Sequence, residues 1–368
     1  MNVIVVGAGI IGVSVADALA ARGASVTVLD MRAPGRGASQ ASAGMLAPYT
    51  EAHGDPQLLD LGIRSLALFD PLVERLRVSA GASIEYARAG TLEVALHAHA
   101  ADELAQAKRA LDVRGVRSDY LDASMLRTEE PALSPTALAG LLTHVHGYVG
   151  VDGLVRALVH RARSAGATFE SPVESVAVDD RGTSVEVRIG DRRDAADFVV
   201  IAAGSWSGRV RVKNLPAIPV RPVRGQLLHL GWTAPRAPSR IVWGQRAYVV
   251  PWSNGSLLVG ATVEEAGFDE RATAAGVRDL TSAVIELLPD AASARFDEVR
   301  VGLRPALPDG LPAIGPFQRA PRVVMATGHF RNGVLLAPVT AEMVGNYVVE
   351  GVRDAAFEVT SPDRFLGM

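Results

Sequence analysis

The chain has 368 residues, of which 48% are apolar and 21% are charged, and its formal net charge at pH 7 is −3. This length and composition are typical of a soluble globular protein, and we expect two domains. Nucleic-acid-binding proteins normally carry clustered positive charge, and the net charge of −3 does not suggest such a cluster. No apolar run reaches the roughly 20 residues that would span a bilayer. The absence of cysteine excludes disulfides, thiolate nucleophiles and cysteine-ligated metals.

The first thirty residues predict a βαβ unit. Residues 2–6 form an apolar strand, residues 10–22 have the apolar spacing of a helix, and residues 25–30 alternate as a second strand. The segment MNVIVVGAGIIG has no basic leader and leads directly into a glycine pattern, so it does not resemble a secretion signal. We therefore expect a cytoplasmic protein.

Gly7, Gly9 and Gly12 form a G-x-G-x-x-G motif between this strand and this helix. In such a motif the first glycine permits the tight turn, the second lets a dinucleotide pyrophosphate approach, and the third packs the helix on the strand. Because the chain contains 36 glycines, a chance match is the alternative. Asp30 favours the dinucleotide, since an acid about 20 residues further on binds a ribose hydroxyl and disfavours a 2′-phosphate.

The loop after the second strand bears on which dinucleotide is bound. An NAD-binding domain would continue with alternating strands and helices. Instead, residues 36–48, with the sequence RGASQASAGMLAP, are dense in small side chains. Such a loop permits close approach of a bulky, flat cofactor and favours FAD, whereas an ordinary surface loop is the alternative.

The rest of the chain alternates between two kinds of pattern. Helices followed by strands, or strands followed by glycine, are predicted at residues 153–170, 197–206 and 322–333. Strand alternation dominates residues 84–97 and 239–262, where Asn254 and Gly255 predict a tight hairpin turn. We therefore predict an α/β fold that combines a parallel sheet with a second, antiparallel or mixed sheet.

This alternation also predicts how the domains are divided. The nucleotide-binding, Rossmann-like domain comprises residues 1–82, 144–212 and 301–368. The second domain comprises residues 83–143 and 213–300 and carries the substrate-binding side chains.

Two histidine pairs and one serine motif are weaker candidates for chemistry. His97 and His99 would lie on one strand face, as in a metal site, if their segment is extended. The same holds for His144 and His146, but no third ligand is evident for either pair. The stretch GSWSG, residues 204–208, resembles a nucleophile elbow with Trp206 in place of the serine. We expect neither a metal nor a serine nucleophile.

Four motifs together resemble the glycine oxidases, the thiazole-biosynthesis members of the D-amino acid oxidase family of flavoproteins. They are IVVGAGIIG, SQASAGMLAP, GLRPALPDGLPAIG and GHFRNGVLLAP, and the match covers nearly the whole chain in the same order. The resemblance implies FAD-dependent oxidative deamination of glycine, sarcosine or a D-amino acid. A hydride would pass to the flavin, and O2 would reoxidise it to give H2O2. The resemblance also implies a homo-oligomer.

The resemblance implies a set of FAD contacts along the chain. Val173 would meet the adenine end, and residues 329–335 would lie at the isoalloxazine, where a helix N-terminus stabilises negative charge. The candidate FAD-binding residues are Gly7, Gly9, Ile10, Ile11, Gly12, Asp30, Met31, Ser39, Ala43, Gly44, Met45, Val173, Gly204, Gly328, His329, Phe330, Arg331, Asn332, Gly333, Val334 and Leu335. With no cysteine in the chain and no histidine in residues 39–45, we expect FAD to be bound non-covalently.

The candidate catalytic residues are Arg304, Tyr248 and Arg331. Arg304 follows a predicted strand at residues 294–303 and precedes Pro305, so we expect the chain to turn there and expose the side chain. The resemblance makes Arg304 the substrate-carboxylate clamp and places Tyr248 in the pocket, while a surface arginine and a half-buried strand tyrosine are the alternatives. Arg331 would contact substrate, flavin or both.

Other questions stay open at this stage. Two tryptophans, Trp243 and Trp252, lie near Tyr248 in the sequence. Either one would narrow the pocket, stack on a larger substrate or lie in the core, and the sequence leaves these three alternatives open. The same fold also hosts dehydrogenases that pass electrons to a quinone or carrier protein, and flavin domains that act on a tRNA-linked amine. A nucleotide-sensing module is a further alternative, but it leaves Arg304 and Tyr248 without a role.

Overall fold

The computed structural model describes residues 1–52, 55–81 and 83–367. The predicted domain limits at residues 82 and 368 lie outside these ranges. The described chain is a mixed α/β fold, as predicted, in which one sheet is largely parallel and a larger sheet is largely antiparallel.

The strands and helices follow one another along the whole chain. The strands are β1 (Asn2–Val6), β2 (Ser25–Leu29), β3 (Met45–Leu46), β4 (Tyr86–Ala87), β5 (Thr91–Ala95), β6 (Ser118–Asp122), β7 (Ala139–Thr143), β8 (Gly147–Val149), β9 (Thr168–Glu170), β10 (Val176–Asp180), β11 (Val185–Ile189), β12 (Arg192–Ala196), β13 (Phe198–Ile201), β14 (Arg211–Val212), β15 (Arg221–Gly231), β16 (Ile241–Trp243), β17 (Tyr248–Pro251), β18 (Ser256–Gly260), β19 (Arg295–Ala306), β20 (Ala313–Pro316) and β21 (Val323–Thr327). The α-helices are α1 (Ile10–Ala20), α2 (Pro48–Glu51), α3 (Pro56–Ala67), α4 (Phe69–Ala80), α5 (Ala98–Val113), α6 (Ala123–Glu129), α7 (Val151–Ser164), α8 (Ala274–Leu287), α9 (Gly333–Gly345) and α10 (Phe357–Thr360).

The largely parallel sheet has the strand order β20-β21-β13-β1-β2-β9. Its central strand β1 alternates between two cores. Val3 and Val5 face the core that contains α1, α7 and α9, while Ile4 and Val6 face the core shared with the small sheet β12-β11-β10-β14. Because both faces are covered, β1 reads as a continuous apolar run.

The predicted βαβ unit is confirmed, with α1 ending at Ala20. Gly7 adopts φ +109, and a Cβ there would come within 2.3 Å of the Ala202 carbonyl oxygen. A Cβ on Gly12 would come within 1.8 Å of the Gly7 oxygen. The first and third glycines of the motif therefore serve the turn and the helix packing that the sequence predicts.

The larger sheet has the order β19-β15-β18-β17-β16-β5-β7-β6, and α8 packs on one of its faces. Neighbouring strands are antiparallel except for the β16–β5 pair. The predicted hairpin joins β17 to β18, and Gly255 adopts the positive φ of +82 that such a turn requires.

β19 differs from the predicted strand. It continues through Arg304 and Pro305 to Ala306, so the expectation that the chain turns at Arg304 is wrong. Pro305 is tolerated because β19 is an edge strand of the sheet. β19 also runs across the predicted domain limit between residues 300 and 301, and the division into two domains stays a prediction.

Candidate active site

A cavity of about 800 Å³ opens where β1, β13 and β21 end, at the carboxyl edge of the parallel sheet. This edge is the usual ligand crevice of open α/β sheets, and the volume lies within the range of roughly 300–1,000 Å³ that ligand pockets occupy. The predicted site residues that line the cavity are Gly7, Gly9, Ile10, Ile11, Asp30, Met31, Ser39, Ala43, Gly44, Met45, Val173, Gly204, Tyr248, Arg304, His329, Phe330, Arg331, Asn332, Gly333 and Val334.

Three predicted site residues are not among the described lining residues. Gly12 packs against the turn at Gly7, as described above. Gly328 has φ +79, and a Cβ there would come within 2.1 Å of the Leu307 side chain. Leu335 is buried in α9, and its carbonyl accepts a hydrogen bond from the Ser65 hydroxyl at 2.5 Å. All three shape the backbone around the cavity.

The N-terminus of α1 forms one wall of the cavity. Gly9 is its N-cap, and the Ile10 N–H donates to the Ser39 hydroxyl at 2.9 Å. The atom nearest to a Cβ built on Gly9 is that hydroxyl oxygen, at 3.5 Å, so the glycine backbone faces the cavity. A helix N-terminus whose first residues line a cavity is suited to an anion such as a pyrophosphate.

The Asp30 carboxylate lies beside this turn. Its two oxygens accept the backbone N–H groups of Ala8 at 2.5 Å and Arg32 at 2.7 Å. Burial raises the pKa of Asp30, and these two hydrogen bonds oppose the rise. The Val173 N–H donates to the Asp30 carbonyl at 2.8 Å, so Val173 lies at the same end of the cavity.

These features fit a dinucleotide such as FAD. A helix N-terminus, an acid held by backbone N–H groups and an apolar wall at Val173 follow one another along the cavity. Gly44, in the small-residue loop, adopts φ +70 and lies so close to the Val149 carbonyl that a Cβ would come within 1.8 Å of it. The loop is therefore packed in place as a wall of the cavity.

The turn before α9 forms the opposite wall. Phe330 adopts the left-handed φ of +48, and Gly333 begins the helix. His329 is buried, its Nε2 lies 3.0 Å from the Thr340 hydroxyl, and burial lowers its pKa to about 3. His329 is therefore neutral near pH 7 and holds the turn against α9.

Arg304 lies flat across the larger sheet. Its Nη1 donates to the Thr262 carbonyl at 2.9 Å, and burial lowers its pKa. Gly225 makes room for it, since a Cβ at that position would come within 2.3 Å of Nη1 and Nη2. A charged guanidinium is thus held in the cavity wall by the Thr262 carbonyl, which follows β18, and lies over Gly225 of the neighbouring strand β15.

Tyr248 pairs with Gly260 on the neighbouring strand β18. A Cβ at Gly260 would come within 2.3 Å of the Tyr248 hydroxyl, so this glycine too leaves space for a site side chain. Burial raises the pKa of Tyr248 to about 12. Trp243 lines the cavity with its ring centroid 5.3 Å from that of Tyr248, whereas Trp252 packs against His229.

Sequence reasoning missed Glu51, the last residue of α2. Only 6% of its surface is exposed, it lines the cavity, and its Oε2 lies 3.3 Å from Nε of Arg331. Burial raises its pKa, while Arg331 and Arg304 oppose the rise. One sequence signal could have indicated Glu51. It is an acid three residues after Pro48, which ends the small-residue loop and begins helix α2.

The two histidine pairs do not lie on strand faces. His97 is the N-cap of α5 and His99 lies in that helix, so the condition of an extended segment is not met for this pair. His144 and His146 lie in the turn between β7 and β8, where His144 Nε2 is 2.6 Å from Asp119 and His146 stacks on Tyr49. In the described ranges, no group of three or more metal-ligating side chains is present.

The serines of the GSWSG stretch are both used structurally. Residues Gly204–Arg209 form a 3₁₀ helix. The Ser205 hydroxyl donates to the Leu303 carbonyl at 2.8 Å, and the Ser207 hydroxyl donates to Thr327 at 2.9 Å. The Trp206 ring packs against the ring of Phe268.

Over the part of the chain that the structure covers, no helix is long and apolar enough to cross a membrane.

Comparisons with known proteins agree with this geometry. Residues 2–347 match the model of the family described as FAD dependent oxidoreductase (DAO). Glycine oxidase from Geobacillus kaustophilus (strain HTA426) is 32% identical over 361 residues, which cover 97% of this chain and 95% of the relative. The crystal structure of glycine oxidase from Geobacillus kaustophilus has a TM-score of 0.94 at 31% identity and covers 99% of both chains.

A second solved structure extends the likeness. Iminodiacetate oxidase from Chelativorans sp. BNC1 has a TM-score of 0.88 at 28% identity and covers 98% of both chains. The resemblance to the glycine oxidases, stated from the four motifs, is confirmed. The chain is an enzyme, an FAD-dependent oxidoreductase. It belongs to the DAO family of FAD-dependent oxidoreductases.

Proposed function

We propose that this protein is an FAD-dependent oxidase of a small amino acid or secondary amine, such as glycine, sarcosine or a D-amino acid. The observation that carries the proposal is a half-buried arginine, Arg304, in the wall of the same cavity that offers the dinucleotide-binding features. The glycine oxidase relatives support the substrate class and the use of O2.

The protein's part in this reaction is to hold the substrate. Arg304 offers a planar fork that matches the two oxygens of a carboxylate, and its burial strengthens that pairing. The Tyr248 hydroxyl, whose pKa of about 12 keeps it protonated, donates a further hydrogen bond. Trp243 beside Tyr248 narrows the pocket and favours a small side chain.

When bound, FAD would supply the acceptor for a hydride from the substrate's α-carbon, and the oxidised substrate is an imino acid that hydrolyses to an oxo acid. O2 would take the two electrons from the reduced cofactor and give H2O2. The chain supplies the geometry for this transfer. Arg304 and Tyr248 fix the carboxylate, so the adjacent α-carbon has little freedom. The N-terminus of α9 at Gly333 presents its positive end to the cavity and favours negative charge there.

Several further properties belong to the same proposal. FAD is bound non-covalently through the residues that line the cavity, with Arg304, Tyr248 and Arg331 at the substrate. The chain divides into the two domains given by the sequence. The protein acts in the cytoplasm as a homo-oligomer, with a small molecule and O2 as its reaction partners and no nucleic acid. The four-motif resemblance supports the cofactor and substrate contacts, the use of O2 and the homo-oligomer. The absence of cysteine and of histidine in residues 39–45 supports non-covalent binding, the alternation of strand and helix patterns supports the domain division, and the net charge of −3 supports the absence of nucleic acid.

Anaerobic flavin reduction tests the function. Purified protein is mixed with a panel of glycine, sarcosine, D-alanine, D-proline and carboxylate-free amines, and the flavin absorbance is followed in a stopped-flow instrument. We expect bleaching by the amino acids, then rapid reoxidation and H2O2 formation when O2 is admitted. Bleaching with slow O2 reoxidation and rapid quinone reduction would instead identify a dehydrogenase, and a panel without bleaching would contradict the proposal.

A further inference from the structure

Three charged side chains meet in the cavity beside Tyr248: Arg304, Arg331 and Glu51. They act on one another electrostatically. Burial lowers the pKa of Arg304, Tyr248 and Glu51 oppose this shift, and Arg331 adds to it. The two cations therefore repel each other. Glu51 and Glu264 both oppose the lowering of the Arg304 pKa, but of these two acids only Glu51 is among the described residues that line the cavity, so its charge bears on how much positive charge a ligand meets.

Glu51 and Arg331 form a salt bridge in the wall of the cavity. The Glu51 Oε2 is 3.3 Å from Arg331 Nε, and the side chains are 7% and 26% exposed respectively. Among the described residues, Oε2 has no hydrogen-bond partner. A buried carboxylate is costly unless it is paired with a cation, so Arg331 serves as its counter-ion. By the same pairing, Glu51 offsets the charge of Arg331.

The neighbours of Glu51 in α2 hold it in place. The Tyr49 N–H donates to His146 Nε2 at 3.4 Å, and the Thr50 hydroxyl donates to Glu93 Oε1 at 3.1 Å. Glu93 belongs to β5 of the larger sheet and His146 to the turn between β7 and β8, and neither is among the described lining residues. These two bonds fix α2 and keep the Glu51 carboxylate turned toward Arg331.

We propose that Glu51 is a specificity-determining residue. By pairing with Arg331, it leaves Arg304 to bind one carboxylate beside Tyr248, and it makes the pocket select amines that carry one carboxylate over amines that carry two. Arg246, which also lines the cavity, is exposed and paired with Glu286 at 3.1 Å. This inference rests on the proposed function, because it takes the ligand carboxylate to bind at Arg304.

A matched pair of unreactive ligands tests the inference on the holoenzyme. Methoxyacetate and oxydiacetate are both ethers, so neither has an amine to oxidise, and they differ in carrying one or two carboxylates. Their Kd values are measured by the change in flavin absorbance and by calorimetry. The variants are Glu51→Gln, which keeps the shape and removes the charge, and Glu130→Gln, a buried acid bonded to Ser239 outside the cavity lining.

We expect Glu51→Gln to lower the Kd of oxydiacetate by at least roughly tenfold, the size of a charge-assisted hydrogen bond to the released Arg331. The Kd of methoxyacetate should change much less. In Glu130→Gln, the Kd values of both ligands should stay as in the wild type. Adding Arg331→Met to Glu51→Gln should abolish the gain. If the glutamine variant does not fold, Glu51→Met makes the same comparison without an unpaired buried amide.

Two results would overturn the inference. One is an unchanged ratio of the two Kd values in Glu51→Gln, and the other is a gain that persists after Arg331→Met. The proposed function fails differently, because it predicts that methoxyacetate binding depends on Arg304. Equal methoxyacetate binding in wild type and Arg304→Ala would contradict the carboxylate site itself, whereas Arg304-dependent binding with an unchanged ratio would contradict only the role of Glu51.

Discussion

The guanidinium of Arg304 rests on the bare backbone of Gly225, with both Nη atoms 2.3 Å from the position that a Cβ on residue 225 would occupy. The two residues belong to β19 and β15, which pair along most of their length. Because a single added methyl group would collide with a half-buried cation, a small substitution at residue 225 is enough to move the side chain on which the proposed function depends.

Gly225→Ala should therefore impair substrate binding without touching any charged residue. A displacement of about 1 Å can cost about a hundredfold in rate, so we expect kcat/KM for a carboxylate substrate to fall by roughly ten- to a hundredfold while FAD is retained. Gly231→Ala on the same strand is the control, because a Cβ there meets the exposed and flexible side chain of Arg295. Equal activity of Gly225→Ala and wild type would show that Arg304 is not positioned this way in the working enzyme.

Substitutions of Arg304 itself should follow a graded order. Lysine keeps the charge but loses the planar fork, so Arg304→Lys should bind the carboxylate more weakly and reduce the flavin more slowly. Arg304→Ala should lose roughly 2–5 kcal/mol of transition-state binding, and Tyr248→Phe about 1 kcal/mol. The measurements are kcat, KM and the anaerobic reduction rate.

Carboxylate-free amines are the control for this series. Their turnover should hardly change when Arg304 is lost, because they have no carboxylate for the clamp to hold. If Arg304→Ala retains FAD and oxidises glycine, sarcosine or D-amino acids with the wild-type rate and KM, the assignment of the clamp is wrong.

FAD should be released intact from the purified yellow protein by acid precipitation. The reason is that the chain has no cysteine and that residues 39–45 contain no histidine, so neither of these side chains can attach a flavin there. Absorbance and mass spectrometry of the supernatant and the pellet provide the measurement. Flavin that stays with the pellet, or a colourless protein that binds NAD, would contradict the expectation.

The stability of the protein should depend on pH through Glu93. Burial raises the pKa of Glu93 from 4.5 to about 7, while the Thr50 hydroxyl opposes the shift. The folded state therefore holds this proton more tightly than the unfolded state. The contribution is fully present below pH 4.5 and is lost as the pH rises through about 7.

Glu93→Gln should remove this dependence, because the amide does not ionise. Between pH 5 and pH 8, the free energy of unfolding of the wild type should fall relative to that of the variant by on the order of 1–3 kcal/mol. Urea unfolding at both pH values measures the difference, and Glu350→Gln, an exposed glutamate, is the control. Parallel pH profiles for Glu93→Gln and wild type would rule this contribution out.

The sequence by itself determined the parts of the protein that depend on local spacing. Gly7, Gly12 and Asp30 lie within one βαβ unit, and the turn geometry and strand period of that unit place them without help from the rest of the chain. The hairpin at Asn254 and Gly255 is local in the same sense. The family follows from four such motifs in a fixed order.

Only the tertiary structure decided how the substrate end of the cavity is built. The continuation of β19 past Arg304 is stabilised by pairing with β15, which no local pattern near Pro305 reveals. The space for Arg304 comes from Gly225 on that partner strand, and the charge beside Arg331 comes from Glu51, which is distant in the chain. These relationships depend on strand register and on which side chains are buried together, and both are set only when the whole chain has folded.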